Sequence, residues 1–326
     1  MSARPEWRSP RGVLVLGAST PVGARLCRTL LEDRALRTVM AVGLEPRERV
    51  DLPEDPRLSY HRVDLTHARP VHDLLFGTAR DLGVDVVVHL ALHRANDFGD
   101  RVHVQNVESL RWLLSLSERH PTLRRLVFRS HAEVYRVERG LPTLITEDHP
   151  LELSPDAPQW VRDRVEADLL ACSQMGMMAG LELAVLRCAE VLAPNEGSQL
   201  HDYLRAPVCL HSAGFDPMLN VLTQEDATEA LRLAVYAGGL QGLFNIPGTD
   251  TLPLSTCIRL SGRLDLPMPG PLLAPVYEAR RRLRGAQFSY RINRGRFHFA
   301  AVLDGTQARQ RLGYEPRHRV NWPTRH

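Results

Sequence analysis

Residues 13–26 read VLVLGASTPVGARL: an apolar strand, a turn marked by glycine, then apolar side chains at helical spacing, with Val22, Leu26, Leu30 and Leu31 on one face. An unbroken Val/Leu run has no polar face for water, so such a strand must be covered on both sides. The pattern recurs. Strands are read at 38–44 (TVMAVGL), 58–65 (LSYHRVDL), 85–92 (DVVVHLAL), 125–130 (RLVFRS) and 181–187 (LELAVLR), alternating with helices over 69–80, 104–118 and 159–178. The alternation predicts an α/β fold of Rossmann type, a doubly wound parallel sheet with helices on both faces.

Beyond Arg187 the rhythm loosens. A helix over 223–238 and a strand at GLFNIPG are followed by a Pro-rich stretch and the arginine-rich YEARRRLRG. The expected organisation is a disordered lead over 1–10 and a dinucleotide-binding domain over 11–190, to which 217–248 returns. The remaining 191–216 and 249–326 form a smaller substrate lobe over the C-terminal edge of the sheet.

With 326 residues, 44% of them hydrophobic, the chain can bury a sizeable core. No apolar run approaches the roughly 20 residues of a membrane helix, and MSARPEWRSPRG lacks the apolar centre of a signal peptide, so a cytoplasmic location without membrane contact is expected. Cys27, Cys172, Cys188, Cys209 and Cys257 are widely spaced with no C-x-x-C pair, which suggests buried thiols and no metal site. All 41 basic residues are arginine. High-GC codon usage accounts for that bias, but its consequence is chemical: no step here can use a lysine amine. The net charge of +3 is too small to imply nucleic acid, and no aromatic interleaving or nucleic-acid module accompanies the arginines.

Glycines at a strand-to-helix turn permit a tight bend and let a diphosphate approach the helix N-terminus, where free N–H groups and the helix dipole favour an anion. Here Gly17, Thr20 and Gly23 stand at the three glycine positions, and Gly17, Ser19, Thr20, Pro21, Val22 and Gly23 make up the candidate cradle. Thr20 adds a side chain where bare backbone is expected. Downstream, Glu45 is placed to accept a ribose 2′-OH, and Arg47 to meet a 2′-phosphate instead. Asp64 and Leu65 end the third strand where adenine would lie, and Leu90, Ala91 and Leu92 end the fourth beside the diphosphate and ribose.

With these offsets the chain resembles the extended short-chain dehydrogenase/reductases, the NAD-dependent epimerase/dehydratase group that includes UDP-glucose 4-epimerase. The resemblance spans residues 11–317. It rests further on HLAL, Asn106 in the next helix, VFRSHAEVYR, TEDHPLEL, LRCAEVLAP, FNIPG and LDGTQARQRLGYEP. It implies bound NAD, with NADP left open by Arg47, a small-molecule substrate such as a nucleotide-sugar, and a homodimer through the helices at 104–118 and 160–178.

The family's usual Tyr-x-x-x-Lys couples hydride transfer to proton exchange, the lysine lowering the tyrosine pKa. Aligning WVRDRVEADLL on that pattern puts Trp160 at the tyrosine and Arg164 at the lysine, while RSHAEVYR puts His131 at the usual serine. Arg164 keeps a charge with which to hold ribose hydroxyls; the indole of Trp160 does not titrate and is read as a packing or stacking residue beside the nicotinamide. His131, with Ser130 and Tyr135 beside it, is the tentative proton-transfer group. Asp163 and Glu166 are read as a charged helix face pairing with arginines. RRRLR (280–284) with Arg291, Arg294 and Arg296 is either an anion site or a solvated face. Three functions stay open: an NAD(P)-dependent epimerase, dehydratase or reductase; a non-catalytic dinucleotide-binding sensor or scaffold working through a partner; or a fold from which Thr20 excludes the dinucleotide altogether.

Overall fold

A computed structural model of the chain describes residues 9–92 and 99–322, so the expected lead lies outside the described residues except for its last two positions. Seven strands build the central sheet: β1 (Gly12–Leu16), β2 (Thr38–Gly43), β3 (Leu58–Arg62), β4 (Val86–His89), β5 (Arg125–His131), β6 (Glu182–Cys188) and β7 (Gly242–Ile246). They lie in the order β7-β6-β5-β4-β1-β2-β3, and every neighbouring pair is parallel. The chain reverses its direction of growth between β1 and β4, and the crevice this opens at the strands' C-terminal ends is where such sheets bind ligands.

Side chains alternate across the sheet and divide the core in two. Val13, Val15, Val39, Val86 and Val127 pack under α1 (Pro21–Glu32) and its Leu26 and Leu30. Leu14, Leu16, Met40, Val87 and Phe128 pack on the other face. That second face is covered by α2 (Ala68–Asp73), α3 (Ser109–Arg119) and α4 (Gln159–Gln174). The expected helix over 69–80 is broken at Gly77 (φ −94°, ψ −107°), so Leu74–Ala79 is a wider turn. The helix expected over 104–118 starts earlier, at Asp100, and reaches α3 through a second wide turn, Val104–Glu108. Helix α5 (Gln224–Tyr236) lies beside α1 on the first face.

A third core holds the rest together. Tyr203, Tyr277, Phe288, Tyr290 and Phe297 pack ring against ring, Tyr277 edge to face with Phe288 at 4.8 Å between centroids and stacked with Tyr290 at 6.0 Å. They tie α6 (Gly270–Arg284) to a three-stranded sheet of Glu190–Val191, Met218–Leu222 and Asp250–Pro253 and to the paired strands Val208–Ser212 and Leu264–Met268. In the RRRLR run, Arg281 and Arg282 pair with Glu278 on the same helix, and Arg280 reaches the Val208 carbonyl. No helix among the described residues is long and apolar enough to cross a membrane.

Candidate functional site

The turn after β1 is built as close packing requires. Gly17 has φ +91°, and a Cβ there would lie 2.9 Å from the Ala91 nitrogen, so only glycine lets the end of β1 pass the end of β4. A Cβ on Gly23 would lie 2.3 Å from the Gly17 carbonyl oxygen. Thr20 stands at the middle glycine position. Its hydroxyl folds back into the turn, donating to the Gly17 carbonyl (2.9 Å) and accepting from the Gly23 N–H (2.9 Å), as a helix N-cap does.

Beside this turn lies a narrow cleft of about 60 Å³, walled by Ser19, Glu45, Asp64, Leu65, Ala91 and Leu92. Tyr60, which sequence reasoning passed over, shapes it by donating its hydroxyl to the Glu45 carbonyl at 2.6 Å. Arg47 does not face the cleft. Its guanidinium is spent on the carbonyls of Val50, Leu52 and Pro53, so the expected 2′-phosphate contact is not made from this position. The Asp64 carboxylate accepts from both the N–H and hydroxyl of Thr66.

Alternation along β5 separates the two tentative catalytic neighbours. Ser130 turns to the far face, donating to the Asp168 carboxylate at 2.5 Å. There Asp168 also takes a two-point contact from Arg187 at 2.6 and 3.0 Å. Tyr135 donates to Asn245 (2.6 Å) beneath the Arg187 guanidinium, and burial first of all pushes its pKa up to about 12. These bonds engage both hydroxyls within the fold.

The His131 ring lies 3.9 Å from the Glu133 carboxylate. Burial, then the cations Arg164 and Arg129, hold its pKa well below 6.5, so the ring is neutral at physiological pH and can donate or accept one hydrogen bond. Arg164 is buried, stacked 3.7 Å over the Trp160 ring and 3.8 Å from the Glu133 carboxylate. Burial lowers its pKa to about 10, which leaves it charged. The Trp160 indole N–H is buried with no hydrogen-bond partner among the described residues. Asp163 points inward, to His103 (2.9 Å) and Asn106 (3.4 Å), so the arginine-pairing face expected of it is not formed there. Glu166 does lie beside Arg111, at 3.5 Å.

Around His131 sits a charge network that sequence reasoning missed. Arg296 pairs with Glu133 and Glu190, and Arg129 pairs with Glu196 at 2.8 Å. Glu196 also accepts the Val22 N–H at 2.7 Å. Glu133, Tyr135, Glu190, Arg291, Arg294 and Arg296 line an adjoining cavity of about 760 Å³ between the sheet edge and the third core.

The sequence profile of the NAD dependent epimerase/dehydratase family matches residues 13–207, more than half of the chain. The chain belongs to this family. Uncharacterized proteins of Mycobacterium tuberculosis and Mycobacterium bovis are 29% identical over 319 residues, covering 94% of this chain and 81% of theirs. Among solved structures the fold is shared with a UDP-glucose 4-epimerase of Thermotoga maritima with UDP-glucose, at TM-score 0.69, 17% identity and coverage of 94% and 93% of the two chains. It is shared equally with a dTDP-glucose 4,6-dehydratase of Bacillus anthracis in complex with NAD, at TM-score 0.68, 16% identity and coverage of 94% and 92%.

For a member of the NAD dependent epimerase/dehydratase family, the two halves of the crevice fit a dinucleotide unequally. At the adenosine end the cleft is open and walled by the carboxylate-bearing Glu45 and Asp64. At the diphosphate position Pro21 has no N–H to offer and the Val22 N–H is engaged by Glu196. The signal for Glu196 was weak in the sequence, since an acidic residue inside PNEGS reads as an exposed loop.

Proposed function

We propose that the protein binds NAD in the crevice beside Gly17. The cavity of the C-terminal lobe would then take a nucleotide-sugar or a similar hydroxyl or ketone substrate. The observation that supports this reading is that the larger cavity opens at the end of β5, where Glu133 lines it and lies 3.9 Å from His131. Glu45 beside the cleft and the engagement of Arg47 elsewhere favour NAD over NADP. The ligand lobe in this reading comprises 191–216 and 249–326.

When bound, the nicotinamide supplies hydride exchange with a substrate carbon. Trp160 and Arg164, at the tyrosine and lysine positions, divide what remains: Trp160 packs, and Arg164 supplies a fixed cation with donors for ribose hydroxyls. Proton exchange falls to His131, acting as a neutral ring beside Glu133, since the Ser130 and Tyr135 hydroxyls are engaged by Asp168 and Asn245. The test is turnover of a nucleotide-sugar panel followed through the nicotinamide absorbance. Activity lost in His131→Ala and kept in Trp160→Phe is expected; turnover indifferent to His131→Ala contradicts the assignment.

A second reading, a non-catalytic dinucleotide-binding sensor working through a protein partner, is favoured by one observation: the place of the acid/base pair is closed by the Trp160–Arg164 stack. It predicts thermal stabilisation by NAD with no turnover of any panel member. We further propose a homodimer through α3 and α4, supported by Leu153 and Leu169, exposed beside Arg111 and Glu166 on the outer side of α4. Light scattering should give twice the mass of the 326-residue chain, falling to one chain in Leu169→Arg.

A further inference from the structure

Where β1 turns into α1, the helix N-terminus already carries an anion from the chain itself. Oε1 of Glu196 accepts the Val22 N–H at 2.7 Å, and Oε2 takes Nη1 of Arg129 at 2.8 Å. Both side chains are buried, Glu196 to 6% and Arg129 to 5% exposure. Val22 and Glu196 are 174 positions apart, so the contact is a feature of the assembled fold and not of a local turn. Pro21 contributes no N–H, which leaves Val22 as the first helical amide able to meet an anion. The site is electropositive twice over, from the helix dipole and from the guanidinium. Arg129 also keeps an Nε–H with no partner among the described residues, a donor in excess of what Glu196 satisfies.

A carboxylate bridging a helix N-terminus and a buried arginine does what two phosphate oxygens of a dinucleotide would do there. We propose that Glu196 is a built-in substitute for the diphosphate, so that a dinucleotide seats only by displacing it, with Arg129 passing from the carboxylate to a phosphate. This rests on the reading of the crevice as a dinucleotide site. The exchange replaces one anion by another on the same donors, so Glu196 sets affinity for the diphosphate without touching the adenosine end. Glu196 sits two residues before Ser198, whose hydroxyl donates to Glu190, the partner of Arg296.

Calorimetric titration of the full chain with NAD, ADP and adenosine, in wild type, Glu196→Gln and Glu196→Ala, tests this. NAD and ADP should tighten by about tenfold or more in Glu196→Ala, with adenosine unchanged within about twofold, because only the phosphates compete for charged donors. NAD and ADP affinities equal to wild type in both variants overturn the inference and leave the NAD reading standing. An equal gain for adenosine overturns it as well, since the variant has then only loosened the fold. Absence of binding by all three ligands in every protein overturns the reading of the crevice itself. Glu196→Ala strands a buried guanidinium, so the double variant Glu196→Ala/Arg129→Met serves beside it: it should keep adenosine binding and lose the gain for ADP.

Discussion

Thr20 shows how much depends on where one hydroxyl points. Standing at a glycine position, it reads in the sequence as a side chain in the way of a ligand; in the fold it is the cap of α1, bonded to Gly17 and Gly23. Thr20→Ala should therefore cost about 1 kcal/mol of stability, measurable as a lowered denaturation midpoint, with Thr20→Ser nearly neutral. His103 offers a second residue-scale test. Its hydrogen bond to the buried Asp163 raises its pKa above the usual 6.5, against a smaller pull from burial. A raised folded pKa means the protonated form is the stabilised one: the contribution is full below the unfolded value and is lost as pH rises through the folded value. The stability difference between wild type and His103→Gln should therefore be larger at about pH 6 than at about pH 9. A difference independent of pH would show that the pair carries no charge.

Among the elements, α4 holds most of what the sequence concealed. The strands and the glycine turn were legible because their causes are local: a run such as VLVL must be covered on both faces, and Gly17 must turn where β1 meets α1. The helix WVRDRVEADLL reads as one apolar stripe with a charged face, yet Asp163, Arg164 and Asp168 are all buried. Their partners, His103, Glu133 and Arg187, lie on other elements, and no spacing rule within the helix points to them. For the same reason the pairing of Arg296 with Glu133 and of Glu196 with Arg129 has no signal in the sequence. Asp168 is the strongest single test of this burial. It has no exposure and holds both Arg187 and Ser130, so Asp168→Ala should destabilise by about 3–5 kcal/mol, while pairing it with Arg187→Met should recover much of the loss. An additive loss in the double variant would mean that the two charges do not act as a pair.

At the scale of the molecule, the parallel sheet and its crevice belong to a member of the NAD dependent epimerase/dehydratase family, and buried arginines and glutamates of the chain pair with one another near the end of β5. In the proposed function the adenosine-binding end takes NAD in preference to NADP, and proton exchange does not run through a tyrosine and a lysine. Titration of the full chain with NAD, NADH, NADP and NADPH tests this most directly. Saturable binding of NAD and NADH, weaker by about tenfold or more for the 2′-phosphorylated pair, is the result expected from Glu45 beside the cleft and Arg47 turned away from it. Binding of none of the four, or a preference for NADP, would contradict it.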